Sequence, residues 1–278
     1  MKSEWKLRIF IMIAIIEFLM ILAIYSQITP QNPVSSKKKF PAVLVINIDG
    51  EIITSNFFGI YEERDQNRTN GTSSMNIIRM LEYFSEDDSI KAFILEIDSY
   101  GGQTAGKEEI ARYIKRMDKP VITVITNKAL SSGYFVAAST DKIYAKKSSQ
   151  IGEITKTFVY VDRTRKGQKQ VCTITSSTYK TISLADCNGF DPIIFEKLRA
   201  QVAGSHELLV SHIAEMRGLS ESSIENISNV KIMNSEEALK SGLIDEVGTT
   251  NDAVAWLEDE LNTHLKILYL RDMLPGKK

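Results

Sequence analysis

The chain is expected to fold as an α/β protein on a largely parallel sheet. Short apolar runs rich in β-branched residues recur along it, at Val43-Leu-Val-Ile-Asn-Ile48, Phe93-Ile-Leu-Glu-Ile97 and Val121-Ile-Thr-Val-Ile-Thr126. Segments with apolar residues at helical spacing lie between them. Outside the apolar N-terminal stretch about 240 residues remain, enough for one sizeable core and a single α/β domain.

Taken in order, residues 43–48 read as a first strand. Residues 72–85 read as a helix, with Ile77, Met80, Leu81 and Phe84 on one face. Residues 93–97 form the next strand, and 104–117 a helix carrying Ile110, Tyr113, Ile114 and Met117. The strand at 120–126 leads through a sharp turn into a buried helix at 132–139. Asp191-Pro192 supplies an N-cap with proline at the first helical position. The long helix that follows carries Ile194, Leu198, Val202, Leu209, Ile213 and Met216 on a stripe read as core, and Gly218 ends it.

Ile9 to Tyr25 is a run of 17 residues interrupted only by Glu17. At 1.5 Å per residue it spans about 26 Å, within range for a bilayer. Lys2, Lys6 and Arg8 precede it and few charges follow before Lys37. The positive-inside rule puts the N-terminus in the cytoplasm and the rest outside. A cleaved signal peptide is the competing reading, but Leu22-Ala-Ile-Tyr-Ser26 is a poor cleavage site. The expected organisation is an anchor at 1–27, a polar, proline-bearing linker at 28–41, a main domain at 42–250, and a C-terminal helix and tail at 251–278.

The formal net charge of −1 leaves no basic footprint for nucleic acid. No zinc-spaced His/Cys cluster and no phosphate-binding loop is visible, and no metal or cofactor is expected. Cys172 and Cys187 are the two cysteines; both a disulfide and two buried thiols are open readings. Asn67-Arg-Thr69, Asn70-Gly-Thr72 and Asn226-Ile-Ser228 match the N-glycosylation pattern, which arises often by chance.

The candidate chemistry sits at Ala129-Leu-Ser131-Ser132-Gly133-Tyr134-Phe135. A serine between a buried strand and a helix lies beside bare helix N–H groups and the positive end of the helix dipole. It needs a base. The three histidines, His206, His212 and His264, lie in helical or tail sequence. Nothing in the sequence supports a Ser-His-Asp triad, although triads assemble in space. A lysine serves if its pKa falls from about 10.4 toward 7. Lys180 lies 49 positions after Ser131 in a run, 173–184, without an acidic residue. The plainer alternatives are an N-cap role for Ser131 and a solvated loop position for Lys180.

Ile97-Asp-Ser-Tyr-Gly101-Gly102, the Ser131 turn, Asp141-Lys-Ile-Tyr-Ala145, Lys180 and Ala238 to Gly248 follow one another in an order that resembles the signal peptide peptidase A family. Its members are membrane-bound serine peptidases with a Ser–Lys dyad and the ClpP/crotonase fold. The resemblance covers residues 42–250. It implies Ser131 as nucleophile, Lys180 as base, and an oxyanion hole made of the backbone amides of Gly102 and Ser132. It further implies peptide substrates near the membrane, such as cleaved signal peptides, assembly into a homo-oligomeric ring, and a catalytic domain outside the cytoplasm.

Three departures from the family pattern matter. Ser132 replaces a glycine after the nucleophile, which makes Ser132 an alternative nucleophile. Tyr100 replaces a proline, and Gln150-Ile-Gly-Glu-Ile154 replaces a glycine-serine strand entry. The rival functions are an acyl-CoA enzyme of the crotonase type, a non-catalytic membrane scaffold or regulator, and a membrane peptidase with other substrates.

Overall fold

The apolar runs become the central strands of one sheet. The computed structural model of the chain describes residues 40–54, 71–155, 157–162, 170–176, 191–228 and 232–273. The first half runs β1 (Ala42–Ile53), β2 (Gly71–Ser73), α1 (Ser74–Ser85), β3 (Ile90–Gly102), α2 (Thr104–Ile114), β4 (Val121–Leu130), α3 (Ser132–Ala138), β5 (Lys142–Ala145) and β6 (Gln150–Gly152). The second half runs β7 (Thr157–Asp162), β8 (Gln170–Thr175), α4 (Pro192–Arg217), α5 (Glu221–Ser228), β9 (Met233–Asn234), α6 (Ser235–Lys240), β10 (Glu246–Val247), α7 (Thr250–Leu261), β11 (Lys266–Tyr269) and α8 (Leu270–Met273).

The main sheet has the strand order β10-β5-β4-β3-β1-β11, every neighbouring pair parallel. β2 adds to the end of β1, and β6 to the end of β4. Only β9, on β6, runs antiparallel within it. Alternate side chains of the central strands enter two separate cores. Leu44, Ile46 and Ile48 face the helices that precede residue 245, while Val43 and Val45 pack with Ala253, Val254 and Leu257 of α7. Both faces are therefore covered, which is why these strands read as near-continuous apolar runs. The C-terminal segment joins this architecture, because β11 pairs with β1 from Ala42↔Lys266 to Val45↔Tyr269.

α4 begins as its sequence demands. The Asp191 carboxylate accepts from the Ile193 amide at 2.7 Å, Pro192 takes the first turn, and Gly218 closes the helix with φ 62°. Its stripe divides between two neighbours. Leu209 and Ile213 enter the main core, whereas Phe195, Leu198 and Val202 pack on Cys172 and Ile174 of the β7–β8 hairpin. Ile194, expected in the core, is exposed, because a two-stranded hairpin covers only one side of the helix there. The hairpin itself is a feature the sequence reading passes over. Cys172 is disulfide-bonded; the partnering half of the expectation, Cys187, lies outside the described residues.

Arg217 pins the end of α4 to the sheet. Its guanidinium donates to the Gly242 carbonyl and to both carboxylate oxygens of Asp245, and Asp245 also accepts the Ile143 amide at 2.7 Å. Pro41–Lys278 form one compact unit. Among the described residues no helix is long and apolar enough to cross a membrane. The expected span at 9–25 and the linker up to residue 39 lie outside them.

Candidate active site

Strand β4 is bent before it delivers Ser131. Ile97 pairs with Ile125, but the next β3–β4 pair is Ser99 with Ala129, so β4 carries extra residues against Asp98. The Asp98 carboxylate closes this bulge: Asn127 Nδ2 donates to both of its oxygens at 3.1 Å, and Lys128 Nζ stands 3.7 Å away. Past the bulge β4 exchanges its partner β5 for β6. Bulges commonly re-aim a strand beside a functional site.

Ser131 follows at the strand–helix junction with φ 51° and ψ −115°. A non-glycine residue at positive φ is strained by about 1–3 kcal/mol and persists only where its surroundings hold it. Here its N–H donates to the Gly152 carbonyl at 2.9 Å and its carbonyl accepts the Phe135 amide at 3.0 Å. The side chain makes no capping hydrogen bond, and the backbone is not in the extended region used by N-caps. Ser131 thus holds the N-cap position of α3 without capping it through its side chain. A strained serine on a strand-to-helix turn is the arrangement that exposes a nucleophilic hydroxyl above a sheet.

Gly101 and Gly102 lie against this turn. A Cβ on Gly101 would stand 3.1 Å from the Ser131 Cβ and 3.4 Å from the Ser132 nitrogen. Gly102, with φ 153°, is pressed on β1: a Cβ there would fall 2.2 Å from the Ile52 carbonyl oxygen. Ser99 fixes the bend by accepting the Gly101 amide at 3.1 Å and donating to the Gly50 carbonyl at 2.6 Å. Ser132 is 2% exposed, and its hydroxyl donates to the Gly102 carbonyl at 3.0 Å. That hydroxyl is buried and ties the start of α3 to the end of β3. Ser132 and Gly133 occupy the first two positions of α3, where amides have no partner within the helix.

Three of the four expected site residues thus meet, namely Ser131, Ser132 and Gly102. Lys180 lies outside the described residues, which end before it at Ser176. Among the histidines, His212 Nε2 lies 3.2 Å from Ser139 Oγ, and the exposed His264 pairs with Glu258. Gly152 is a functional neighbour that the sequence reading did not single out for Ser131. Its signal in the sequence is a glycine within a strand-like run, Gln150 to Ile154, while the positive φ of Gly152 and Glu153 appears only in the structure.

Comparison with known proteins points to peptidases. The sequence model of peptidase family S49 matches residues 114–264, and that of Clp protease matches residues 60–152. A candidate signal peptide peptidase SppA from Enterococcus faecium is 25% identical over 239 residues, covering 84% of this chain and 66% of that protein. A candidate protease, MJ0651, from Methanocaldococcus jannaschii is 33% identical over 193 residues, covering 66% of this chain and 61% of its own length. Protease 4 of Haemophilus influenzae is 25% identical over 226 residues, 79% of this chain but 35% of that protein. The chain thus spans between about a third and two thirds of the length of these relatives. Among solved structures, a mutant of the 1510-N membrane-bound stomatin-specific protease superposes with a TM-score of 0.55 at 18% identity, covering 85% of this chain and 99% of that one, which shows a shared fold. The α/β fold with its mostly parallel sheet is ClpP-like. With the S49 model matched over more than half of the chain, and with its match taking in the whole of the strained serine turn, this chain belongs to peptidase family S49.

Proposed function

We propose that the chain is a membrane-anchored serine endopeptidase using a Ser–Lys dyad. Ser131 Oγ attacks the scissile carbonyl carbon and passes its proton to a neutral Lys180 Nζ. The lysine returns that proton to the departing amine, leaving an acyl group on Ser131. Water, deprotonated by the same lysine, then releases the acid and frees the serine. The amides of Gly102 and Ser132 receive the oxyanion, and such donors contribute about 3–4 kcal/mol each in the transition state. The single observation that supports this reading best is the strained, uncapped Ser131 turn set against Gly101 and Gly102.

The anchor at 9–25 would hold the domain outside the cytoplasm and confine it to peptides near the membrane, such as cleaved signal peptides. The name of the Enterococcus faecium relative favours that substrate class. Exposed Ile193 and Leu208 on α4 fit an intersubunit face in a ring of copies. Reaction of the full chain in detergent with a fluorophosphonate, followed by peptide mapping, tests the dyad. A single adduct on Ser131, absent from Lys180→Ala, is the expected result. An unmodified Ser131 in the intact protein would sink the assignment and leave the non-catalytic scaffold.

A further inference from the structure

The proposed chemistry leaves Lys107 and His212 without a role, yet both meet on the ring of Phe135, one helical turn after Ser131. Lys107 lies on α2, in the helix that follows Gly102, and is 2% exposed. Its ammonium stands 4.0 Å from the centroid of the Phe135 ring. The imidazole of His212, on α4, stacks on the same ring with centroids 3.8 Å apart and planes 11° from parallel. Two groups this close to one centroid cannot share a face, so Phe135 is held between them. His212 Nε2 also lies 3.2 Å from Ser139 Oγ, which donates to the Phe135 carbonyl at 2.9 Å. The Phe135 amide in turn donates to the Ser131 carbonyl at 3.0 Å.

The position of this stack is what gives it meaning. α2 begins just after the Gly101-Gly102 turn, and α3 begins just after Ser131. Phe135 sits in the first turn of α3, so any rotation of that turn is transmitted to the φ of Ser131. Buried lysines are rare, and the face of an aromatic ring attracts an ammonium. The charged and titratable groups that act on His212 are Lys107 and Lys115 from α2 and Glu215 on α4 itself, with Ser139 from α3 as its hydrogen-bond partner. Burial, then Lys107, keeps the imidazole neutral by lowering its pKa to about 4. The imidazole therefore adds no second cation to the ring at neutral pH.

We infer that the Lys107–Phe135–His212 stack is a positioning device that holds the first turn of α3 and thereby the strained backbone of Ser131. Lys107 and His212 act through Phe135 and are not themselves catalytic. The inference rests on Ser131 being the nucleophile, and it assigns to the stack the surroundings that such a strained residue requires.

The test is the inactivation kinetics of the full chain by a fluorophosphonate, with adduct mapping and a melting curve on each sample. The variants are His212→Ala and Lys107→Ala, with His212→Phe and Lys107→Arg as conservative replacements that keep a flat ring and a cation. Measured well below each melting temperature, both alanine variants should lose on the order of 10-fold to 100-fold in maximal inactivation rate with unchanged probe affinity. The conservative variants should recover most of it. Unchanged inactivation rates in alanine variants that merely melt earlier would reduce the stack to a stability element and overturn the inference. If an alanine variant fails to fold, its conservative partner decides: a folded His212→Phe or Lys107→Arg as slow as a disrupted site also overturns it. Absence of any adduct on Ser131 in the unaltered chain removes the nucleophile reading itself, an outcome distinguishable from the others.

Discussion

The hydroxyl of Ser132 donates to the carbonyl of Gly102 across 3.0 Å, joining the first residue of α3 to the last residue of β3. The resemblance expects glycine at position 132, and the serine found there ties two parts of the site together. Ser132→Ala should lower stability by about 1 kcal/mol, the usual net contribution of one hydrogen bond. Urea unfolding measures this. Covalent modification in that variant should still map to Ser131. An adduct that appears on Ser132 in the unaltered chain would contradict the tie.

Glycine is required at 102 in a way that it is not at another position of the same chain. A Cβ at 102 would overlap the Ile52 carbonyl and demand a φ of 153°. Gly204, inside α4, has nothing within 4 Å of its would-be Cβ. Gly102→Ala should therefore destabilise the fold by more than about 3 kcal/mol. Gly204→Ala should stabilise it by about 0.5–1 kcal/mol through helix propensity. Denaturant midpoints of the pair provide the comparison, and equal midpoints would contradict the crowding at Gly102.

The Arg217–Asp245 pair joins α4 to the sheet edge with side-chain exposures of 8% and 34%. Arg217→Met leaves Asp245 with its Ile143 amide but without its cation, and strands the Gly242 carbonyl. Hydrogen bonds to charged groups contribute about 1.5–3 kcal/mol, so a loss in that range is expected. Asp245 is partly exposed, so salt screens the pair and the loss should shrink as ionic strength rises, which thermal melts at two ionic strengths would register.

His212 predicts how stability responds to acid. Its ordinary value of 6.5 falls to about 4 in the fold, mainly through burial and then through Lys107. Between those two values the unfolded chain takes up a proton that the folded chain refuses. Stability is therefore full above pH 6.5 and declines as pH falls toward 4. His212→Phe removes that proton uptake while keeping the ring stack. Its melting temperature should fall less than that of the unaltered chain between pH 6.5 and pH 4. Parallel pH profiles would show that the imidazole does not titrate in this way.

How far the sequence reaches can be judged from particular residues. Val43 to Ile48 and Val121 to Thr126 are legible as strands because burial on both faces leaves few polar positions, Asn47, Thr123 and Thr126. Asp191, Pro192 and Gly218 marked α4 at both ends because capping is local chemistry. The hairpin β7–β8, although a local pairing, is passed over by the reading, and strand β11 escapes it because it is short and acquires its meaning from β1, distant in the chain. The exposure of Ile194 has the same origin. At the site, Ser131 and the Gly101-Gly102 turn were visible as local turn chemistry. The contact of Ser131 with Gly152, the Asp98 clamp on the bulge, and the Lys107–Phe135–His212 stack all depend on how separate segments come together.

Cys172 carries the last prediction. Its side chain is buried in the small core formed with Ile174 and Val202, and it is disulfide-bonded. The chain has one other cysteine, Cys187, and in sequence the two flank Lys180. Peptide mapping without reduction should recover 172 and 187 in one cross-linked peptide, and the denatured, unreduced protein should consume no thiol reagent. A bridge closing a loop of about 15 residues contributes about 3 kcal/mol in the chain-entropy account. The hairpin and the start of α4 form a cluster separate from the main sheet, so Cys172→Ser should loosen that cluster first. Protease nicking around residue 180, with the sheet core still protected, is the expected signature. If the base is on this segment, reduction should slow acylation of Ser131 well before it lowers the melting temperature of the core. Acylation that survives full reduction at an unchanged rate would separate the disulfide from the chemistry.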